Sequence, residues 1–176
     1  MASSITTIQP TAIPNGARRN AKAETRMLHE WVSLHGWQAQ AIYELRLGPT
    51  PQTLVGQVVS PQLEAMLRVS LWYADLIVPT GRELLVVEAK VQPKPGAVGE
   101  TLWYSTLVPT TPVLAPYANL PVVPVVLFGE RNDALNSFAR ALGVRVELYT
   151  PPWIAEYLST RQFRNRSTPS PGTSLV

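Results

Sequence analysis

The segment Arg68–Lys90, RVSLWYADLIVPTGRELLVVEAK, constrains the fold of this chain more than any other part of the sequence. Val69–Val78 and Leu84–Val91 are rich in β-branched, aliphatic and aromatic residues, a composition that favours two strands. Between them, Pro79-Thr80-Gly81-Arg82 has the composition of a tight turn. The segment therefore predicts a β-hairpin, and any architecture for the chain has to include it.

Three ionisable residues, Asp75, Glu88 and Lys90, interrupt this apolar hairpin. Since side chains alternate between the two faces of a strand, Glu88 and Lys90 share one face. If Thr80-Gly81 forms a two-residue loop, Asp75 lies opposite Val86. Its side chain then points to the same face as its diagonal neighbour Glu88, whereas a three-residue loop would reverse that parity. Given the two-residue loop, two carboxylates and an ammonium group meet on one face.

Composition excludes several classes of protein. With 176 residues, of which 45% are hydrophobic and 15% charged, the sequence is typical of one globular domain. It contains no cysteine, which excludes disulfides and thiolate sites, so that any metal ion would have oxygen ligands, as Mg²⁺ or Mn²⁺ prefers. We expect no membrane span and no secretory signal, and hence a cytoplasmic location, or the host cytoplasm or virus particle if the protein is viral.

Basic residues are concentrated near the two ends of the sequence, although the net charge of +3 is small. The clusters are Arg18, Arg19, Lys22 and Arg26, and Arg161, Arg164 and Arg166. This distribution suits contact with a polyanion such as DNA, although solubilising charge at flexible ends explains it equally well. The candidate DNA contacts are Arg18, Arg19, Lys22 and Lys94.

Helical periodicity, strand-forming runs and turn residues divide the rest of the chain into elements. The predicted helices are Ala17–His35, Ala97–Val108, Asp133–Leu142 with Asp133 as its cap, and one from Pro151-Pro152-Trp153 to about Arg161. Besides the two strands of the hairpin, the predicted strands are Trp37–Leu47, Val122–Phe128 and Val144–Thr150. A short piece at Thr53–Val59 could pair with a strand, and Leu63–Leu67 could form a helical turn. The order α-β-β-β-α-β-α-β-α predicts an α/β domain at 17–164, between a flexible arm at 1–16 and a flexible tail at 165–176.

One acidic residue of the first predicted helix faces the core. At about 100° per residue, the apolar face of this helix consists of Met27, Leu28, Trp31, Val32 and Leu34. Glu24 falls near the middle of that face, and Glu30 lies at its edge. A carboxylate aimed at a core is costly unless a cation or hydrogen bonds compensate it, so Glu24 is a candidate functional residue. The alternative is that the helix frays here and Glu24 is solvated.

Asp75, followed after twelve residues by Glu88-Ala89-Lys90, resembles the core motif of the PD-(D/E)XK nuclease superfamily, although Ala74 stands where that motif has proline. The common core of the superfamily has the order α-β-β-β-α-β, with these residues on its second and third strands. An acidic residue often lies on its first helix, a position that Glu24 would match. The resemblance covers about residues 17–128 and implies a restriction-endonuclease-like mixed sheet flanked by helices.

The next predicted helix also bears on the resemblance. Several nuclease branches of the superfamily have Gln-x3-Tyr here, where this chain has Glu100 and Tyr104, which share a helix face. Glu100 would add a carboxylate near the metal or cap a surface turn. The plainer interpretation is an amphipathic helix with Trp103 and Leu107 in the core.

The resemblance implies metal-dependent hydrolysis of DNA phosphodiesters, with Mg²⁺ or Mn²⁺ as cofactor. It assigns Asp75, Glu88 and the Ala89 carbonyl as metal ligands, with Glu24 coordinating directly or through water. Lys90 would orient the attacking water and stabilise the transition state. Asp75, Glu88 and Lys90 would then be the catalytic residues.

Three functions remain open. The first is a Mg²⁺-dependent DNA endonuclease or exonuclease, for which a homodimer would suit cutting of both strands. The second is a non-catalytic member of the same fold in a larger assembly, such as a phage or other virus particle, in which extended termini contact neighbouring subunits. Ala74, Glu100 and the proline-rich loops favour this second function. The third is an unrelated α/β binding protein with a surface ion-pair cluster.

Overall fold

A computed structural model of the chain describes residues 17–49 and 72–166, with side chains described at 21–49 and 72–160. These residues form an α/β fold around a five-stranded mixed sheet in the order β1-β2-β3-β4-β5. The strands are β1 (Ile42–Arg46), β2 (Tyr73–Pro79), β3 (Leu84–Lys90), β4 (Val122–Phe128) and β5 (Arg145–Leu148). The described helices are α1 (Ala17–Leu34), α2 (Pro95–Leu107), α3 (Asp133–Ala141) and α4 (Pro152–Arg166), with 3₁₀ turns at Val108–Thr110 and Pro112–Tyr117. None of these helices is long and apolar enough to cross a membrane.

The predicted order of elements is confirmed in the described residues, and β4 has the predicted bounds. The boundaries of other elements shift by a few residues. Helix α2 begins two residues early, at Pro95, because proline is tolerated in a first helical turn. Helix α4 continues to Arg166, past its predicted end near Arg161. The predicted pieces at Thr53–Val59 and Leu63–Leu67, the arm at 1–16 and residues 167–176 lie outside the described residues.

Two local predictions are wrong. The cap of α3 is Asn132 rather than Asp133, because the Asn132 side chain accepts a hydrogen bond from the Leu135 amide at 3.0 Å. Leu34, predicted on the buried face of α1, is 70% exposed, because it lies on the last residue of the helix. The other four residues predicted on that face are buried.

The turn of the central hairpin has four residues, not two, since Pro79 pairs with Leu84. The Thr80 hydroxyl closes this turn by donating to the Glu83 carbonyl and accepting from the Glu83 amide, both at 3.1 Å. Gly81 adopts a φ of 84°, which favours glycine. A threonine side chain thus stabilises a longer loop than the Thr-Gly dipeptide suggested.

The longer turn changes the register of β2 against β3 but not its parity. Ile77, rather than Asp75, lies opposite Val86. Continuing the same register places Asp75 directly opposite Glu88, where a diagonal relation was predicted. The shift of two residues keeps the parity of the pairing, and Lys90 Nζ lies 3.9 Å from Asp75 Oδ2, so the three ionisable residues come together.

The sheet is covered on both faces. Alternate residues of β2, β3 and β4 pack against α1 and Ile154 of α4, and include Val87 and Ala89. The opposite face packs against α2 and α3, through residues such as Val86 and Phe128. Glu88 and Lys90 belong to this second face by alternation, so they approach α2.

A hydrogen-bonded cluster joins α1 to the C-terminal elements. The carboxylate of Glu30 accepts hydrogen bonds from Tyr149 Oη at 2.9 Å, Trp153 Nε1 at 2.8 Å and Arg26 Nε at 2.7 Å. The Arg26 guanidinium lies over the Trp153 ring, 4.3 Å from its centroid. Although burial opposes them, these hydrogen bonds hold the pKa of Glu30 below its usual value. Glu30 therefore lies at the edge of the buried face of α1, as predicted.

Replacing Thr101 with valine is expected to destabilise the protein by about 1 kcal/mol. The Thr101 hydroxyl is buried and donates to the Val86 carbonyl at 2.8 Å, with the Val125 carbonyl 3.3 Å away, and so fixes α2 on β3 and β4. Urea titration of the free energy of unfolding measures the effect. The matched control is Thr106→Val on the exposed side of α2, expected to change stability by less than about 0.5 kcal/mol. Equal losses in the two variants would contradict an anchoring role for Thr101.

Candidate functional site

Asp75, Glu88 and Lys90 come together where β3 ends beside β2. Lys90 Nζ lies 2.5 Å from Glu88 Oε1 and 3.9 Å from Asp75 Oδ2. The Glu88 side chain is 5% exposed, and that of Asp75 is 33% exposed. Two carboxylates and an ammonium group therefore lie together, and Asp75 is the most exposed of the three.

The Asp75 carboxylate interrupts the hydrogen bonding between β2 and β3. Backbone pairing of these strands stops at Leu76 and Val87, and the next amide of β3 that faces β2, that of Ala89, donates to Asp75 Oδ2 at 2.9 Å. Because the N–H and C=O groups of a strand residue point toward the same neighbouring strand, the Ala89 carbonyl also faces β2. The structure thus brings the Ala89 carbonyl to the side of β3 where Asp75 lies.

Glu88 is the least solvated acidic group of the site. Among the described residues, its Oε2 atom has no hydrogen-bond partner. Burial and the negative charge of Asp75 raise the pKa of Glu88 to about 9, against the opposing charge of Lys90. A protonated Glu88 can also donate to the Glu100 carboxylate, which further favours its neutral form.

Lys90 is held in its charged form. Burial alone would lower its pKa, but the carboxylates of Glu88 and Asp75 raise the pKa of Lys90 above its usual value. Burial also raises the pKa of Asp75, although Lys90 and the Ala89 amide oppose this. At neutral pH Lys90 is therefore a fixed cation that can donate hydrogen bonds but cannot accept a proton.

Glu24 approaches this cluster from α1, on the other side of β3. It is half-buried and accepts a hydrogen bond from the Val91 amide. Burial and the charge of Asp75 raise the pKa of Glu24, whereas Lys90 and Lys94 oppose the shift. Glu24 therefore lies on an intact helix, close enough to Asp75 and Lys90 for their charges to affect its pKa. It does not lie on a frayed and solvated helix end.

Glu100 and Tyr104 lie on the face of α2 that is turned toward the cluster. Burial and the charges of Glu88, Glu100 and Asp75 raise the pKa of Tyr104 to about 12. Glu100 itself is exposed, and its charge contributes to the raised pKa of Asp75. The plainer interpretation of this helix is wrong for Trp103, which is 48% exposed, because α2 turns Thr101 and Tyr104 to the sheet instead.

The candidate DNA contacts are only partly described. Lys94 is exposed and directly precedes α2, and its positive charge acts to lower the pKa of Glu24. Lys22 is exposed on α1. Arg18 and Arg19 lie in the first turns of α1, and their side chains are outside the described residues. Lys94 is therefore the one of these four that the structure relates to the acidic cluster.

Sequence reasoning missed Glu44. Continuing the register of β1 against β2 places it opposite Asp75, and its charge contributes to the raised pKa of that residue. Its φ of 47° is in the left-handed region, which costs a non-glycine residue about 1–3 kcal/mol. The sequence contains no signal for this conformation, because Glu44 occupies an ordinary position in an alternating strand.

The donors at this site suit a hard divalent cation. Asp75, Glu88 and the Ala89 carbonyl supply only oxygen atoms, and Glu88 Oε2 accepts no hydrogen bond from the described residues. Within 21–49 and 72–160, no three aspartate, glutamate or histidine side chains form a metal-binding group by themselves. Two carboxylates completed by water and substrate oxygens are nevertheless a common environment for Mg²⁺.

The chain matches no protein-family model, and comparison with characterised proteins and with solved structures finds no significant similarity.

Proposed function

We propose that this chain hydrolyses DNA phosphodiesters with Mg²⁺ or Mn²⁺, through a centre formed by Asp75, Glu88 and Lys90 in a restriction-endonuclease-like fold. The observation that carries the proposal is the buried Glu88 carboxylate. It lies opposite Asp75 in the continued register and beside Lys90, and its Oε2 atom accepts no hydrogen bond from the described residues. The nearby Asp75 carboxylate disfavours the charged form of the buried Glu88, which is a cost that a binding site for a divalent cation explains. The expected location of such an activity is the cytoplasm.

A bound divalent cation would supply a Lewis acid for the phosphate oxygens and would lower the pKa of the attacking water. Asp75, Glu88 and the Ala89 carbonyl would hold it, and Glu24 would contribute directly or through water. In this arrangement the Asp75–Ala89 hydrogen bond orients the carboxylate before the ion binds. Ala89 therefore acts with both its amide and its carbonyl.

The permanent positive charge of Lys90 decides which catalytic roles it can have. As a fixed cation it cannot be the general base, because it has no free electron pair to accept the proton of water. It can orient the attacking water and compensate negative charge that develops on the phosphate. The short contact with Glu88 holds Lys90 in place for both tasks.

A second candidate is a non-catalytic protein of the same fold that binds nucleic acid within a larger assembly. The specific observation in its favour is the ion pair of Lys90 with Glu88, whose Nζ and Oε1 atoms lie 2.5 Å apart. Under this proposal the cluster is an ion pair that orders the hairpin. The first candidate requires a divalent cation and DNA to bind together at Asp75, whereas the second does not.

Cleavage assays test the first candidate against the second. Supercoiled plasmid, branched DNA and single-stranded DNA are incubated with wild type, Asp75→Ala and Lys90→Ala in Mg²⁺ or Mn²⁺. We expect cleavage by wild type that requires the metal and is lost in both variants. Thr106→Ala, on the exposed side of α2, is the matched control and should cleave like wild type. Cleavage that survives in both site variants, or no cleavage by folded wild type on any substrate, would contradict the proposal.

A further inference from the structure

Two tryptophan side chains form an exposed pair beside the candidate site. Trp72 is 50% exposed and Trp103 is 48% exposed, and their ring centroids are 6.0 Å apart at an interplanar angle of 76°. In this edge-to-face arrangement, one ring presents its edge to the other, so the pair leaves aromatic surface open to solvent. Exposed aromatic side chains that are grouped in this way, rather than scattered singly, can mark a binding site.

The pair adjoins the candidate site along both of the elements that carry it. Trp72 directly precedes β2, three residues before Asp75, a distance of about 10 Å along a strand. Trp103 follows Glu100 by three residues on α2, so the two side chains are neighbours on the helix surface. One flexible ligand can therefore contact the tryptophans and reach Asp75 at the same time.

Positive charge accompanies the aromatic pair. Arg46 pairs with Tyr73, the residue that follows Trp72, and so lies at the same end of these two strands. Lys94 stands at the other end of α2 from Trp103 and near Glu24. Cations near an aromatic surface are typical of sites where phosphates are bound beside stacked bases.

We propose that Trp72 and Trp103 form a stacking platform for unpaired bases of a single-stranded DNA substrate, whose neighbouring phosphodiester then lies at Asp75 and Glu88. This inference rests on the proposed nuclease function and names its substrate class. Paired bases keep their faces inside the duplex, whereas a single strand can place a base on an indole ring. The preference would come from stacking and would tolerate any base sequence.

Binding measured without metal tests the platform separately from cleavage. The probes are a fluorescein-labelled oligothymidylate and an abasic phosphodiester strand of the same length, both in EDTA, with fluorescence anisotropy as the readout. The abasic strand has the same charge but no bases to stack. We expect wild type to bind oligothymidylate about tenfold more tightly than the abasic strand, and Trp103→Ala to lose that difference while it binds the abasic strand as before.

Two further variants complete the design. Trp103→Phe retains an aromatic ring and should keep most of the preference for oligothymidylate. Phe138→Ala removes an equally exposed aromatic side chain from α3 and should behave like wild type. Circular dichroism and thermal unfolding check that each variant is folded.

The outcomes distinguish the platform from the nuclease. Equal affinity of wild type for the two strands, or unchanged preference in both Trp72→Ala and Trp103→Ala, would overturn the platform, and cleavage of DNA in Mg²⁺ would still support the nuclease. A preference for bases that depends on the tryptophans, without cleavage of any substrate, would leave the platform standing and refute the nuclease. A change of oligomeric state in Trp103→Ala without any effect on oligothymidylate binding would assign the pair to a protein interface instead.

Discussion

Replacing Glu88 with glutamine is expected to lower metal-dependent cleavage by about 10²–10³-fold without destabilising the fold. Glutamine has the shape of a protonated glutamate, and its amide can accept from Lys90 and donate to Glu100. It lacks the charge with which Glu88 would hold a divalent cation. A residue kept for function at the expense of stability should show this combination. Cleavage rates and urea titrations of the same preparation measure both effects.

The raised pKa of Glu88 also predicts how the free energy of unfolding changes with pH. The pKa of Glu88 is raised to about 9 in the folded state from an ordinary value of 4.5. Between these values the folded protein holds a proton that the unfolded chain has released, so the free energy of unfolding decreases as the pH rises. Glu88→Gln should remove most of this slope when unfolding is measured in EDTA from about pH 5 to about pH 9.

Glu83→Gln is the matched control for this experiment. Glu83 pairs with Arg145 through two hydrogen bonds of 2.9 Å, and these lower its pKa. Its stabilising contribution is therefore present above its ordinary pKa and lost as the pH falls, which is the opposite sign. Since its side chain is one-third exposed, we expect a loss below about 1 kcal/mol and unchanged cleavage. If Glu88→Gln destabilised the fold more than Glu83→Gln, an ion-pair role would explain Glu88 better.

Replacing Gly129 with alanine is expected to destabilise the protein by about 1–3 kcal/mol. A β-carbon at Gly129 would lie 2.8 Å from Ile154 Cδ1, 3.0 Å from the Val91 carbonyl oxygen and 3.2 Å from Val91 Cα. The isoleucine side chain can move, whereas the Val91 backbone is continuous with β3. The Gly129 amide also donates to the Lys90 carbonyl at 3.1 Å, so a displacement here would reach the candidate site. Chemical denaturation measures the loss, and cleavage assays measure its effect on the site.

Two variants control the Gly129 prediction. Gly99→Ala lies on an exposed position of α2 with open space around the new β-carbon, and should stabilise the protein by up to about 1 kcal/mol. Adding Ile154→Val to Gly129→Ala removes the nearer obstacle and should recover part of the loss. Stability equal to wild type in Gly129→Ala alone would show that α4 packs loosely against the end of β4.

Much of the fold could be predicted because its signals are local. Apolar, β-branched runs identified β2, β3 and β4, and alternation along β3 was enough to place Glu88 and Lys90 on one face. The convergence with Asp75 depended on the hairpin loop only through its parity. A loop of either two or four residues has the same parity, and Lys90 Nζ lies near both carboxylates although the predicted register is wrong.

The remaining features depend on contacts that the sequence does not encode locally. The register of the hairpin follows from a hydroxyl of Thr80 that bonds within its own turn. The exposure of Trp103 follows from which side of α2 meets the sheet, where Thr101 and Tyr104 compete with it for burial. The left-handed backbone of Glu44 has no signal in its neighbours along the chain.

The hydrogen bonds of Glu30 have a consequence for the order of folding. They join α1 to Tyr149 and Trp153 across sequence separations of 119 and 123 residues, among the most distant contacts described in the chain. Loops of this length close late, because the entropy of closure opposes them until the intervening elements have folded. We therefore expect the hairpin, which is closed by a four-residue turn, to bring Asp75 to Glu88 before the Glu30 hydrogen bonds form. The acidic pair of the candidate site depends on short-range contacts, whereas the helix that carries Glu24 is joined to the C-terminal elements by long-range ones.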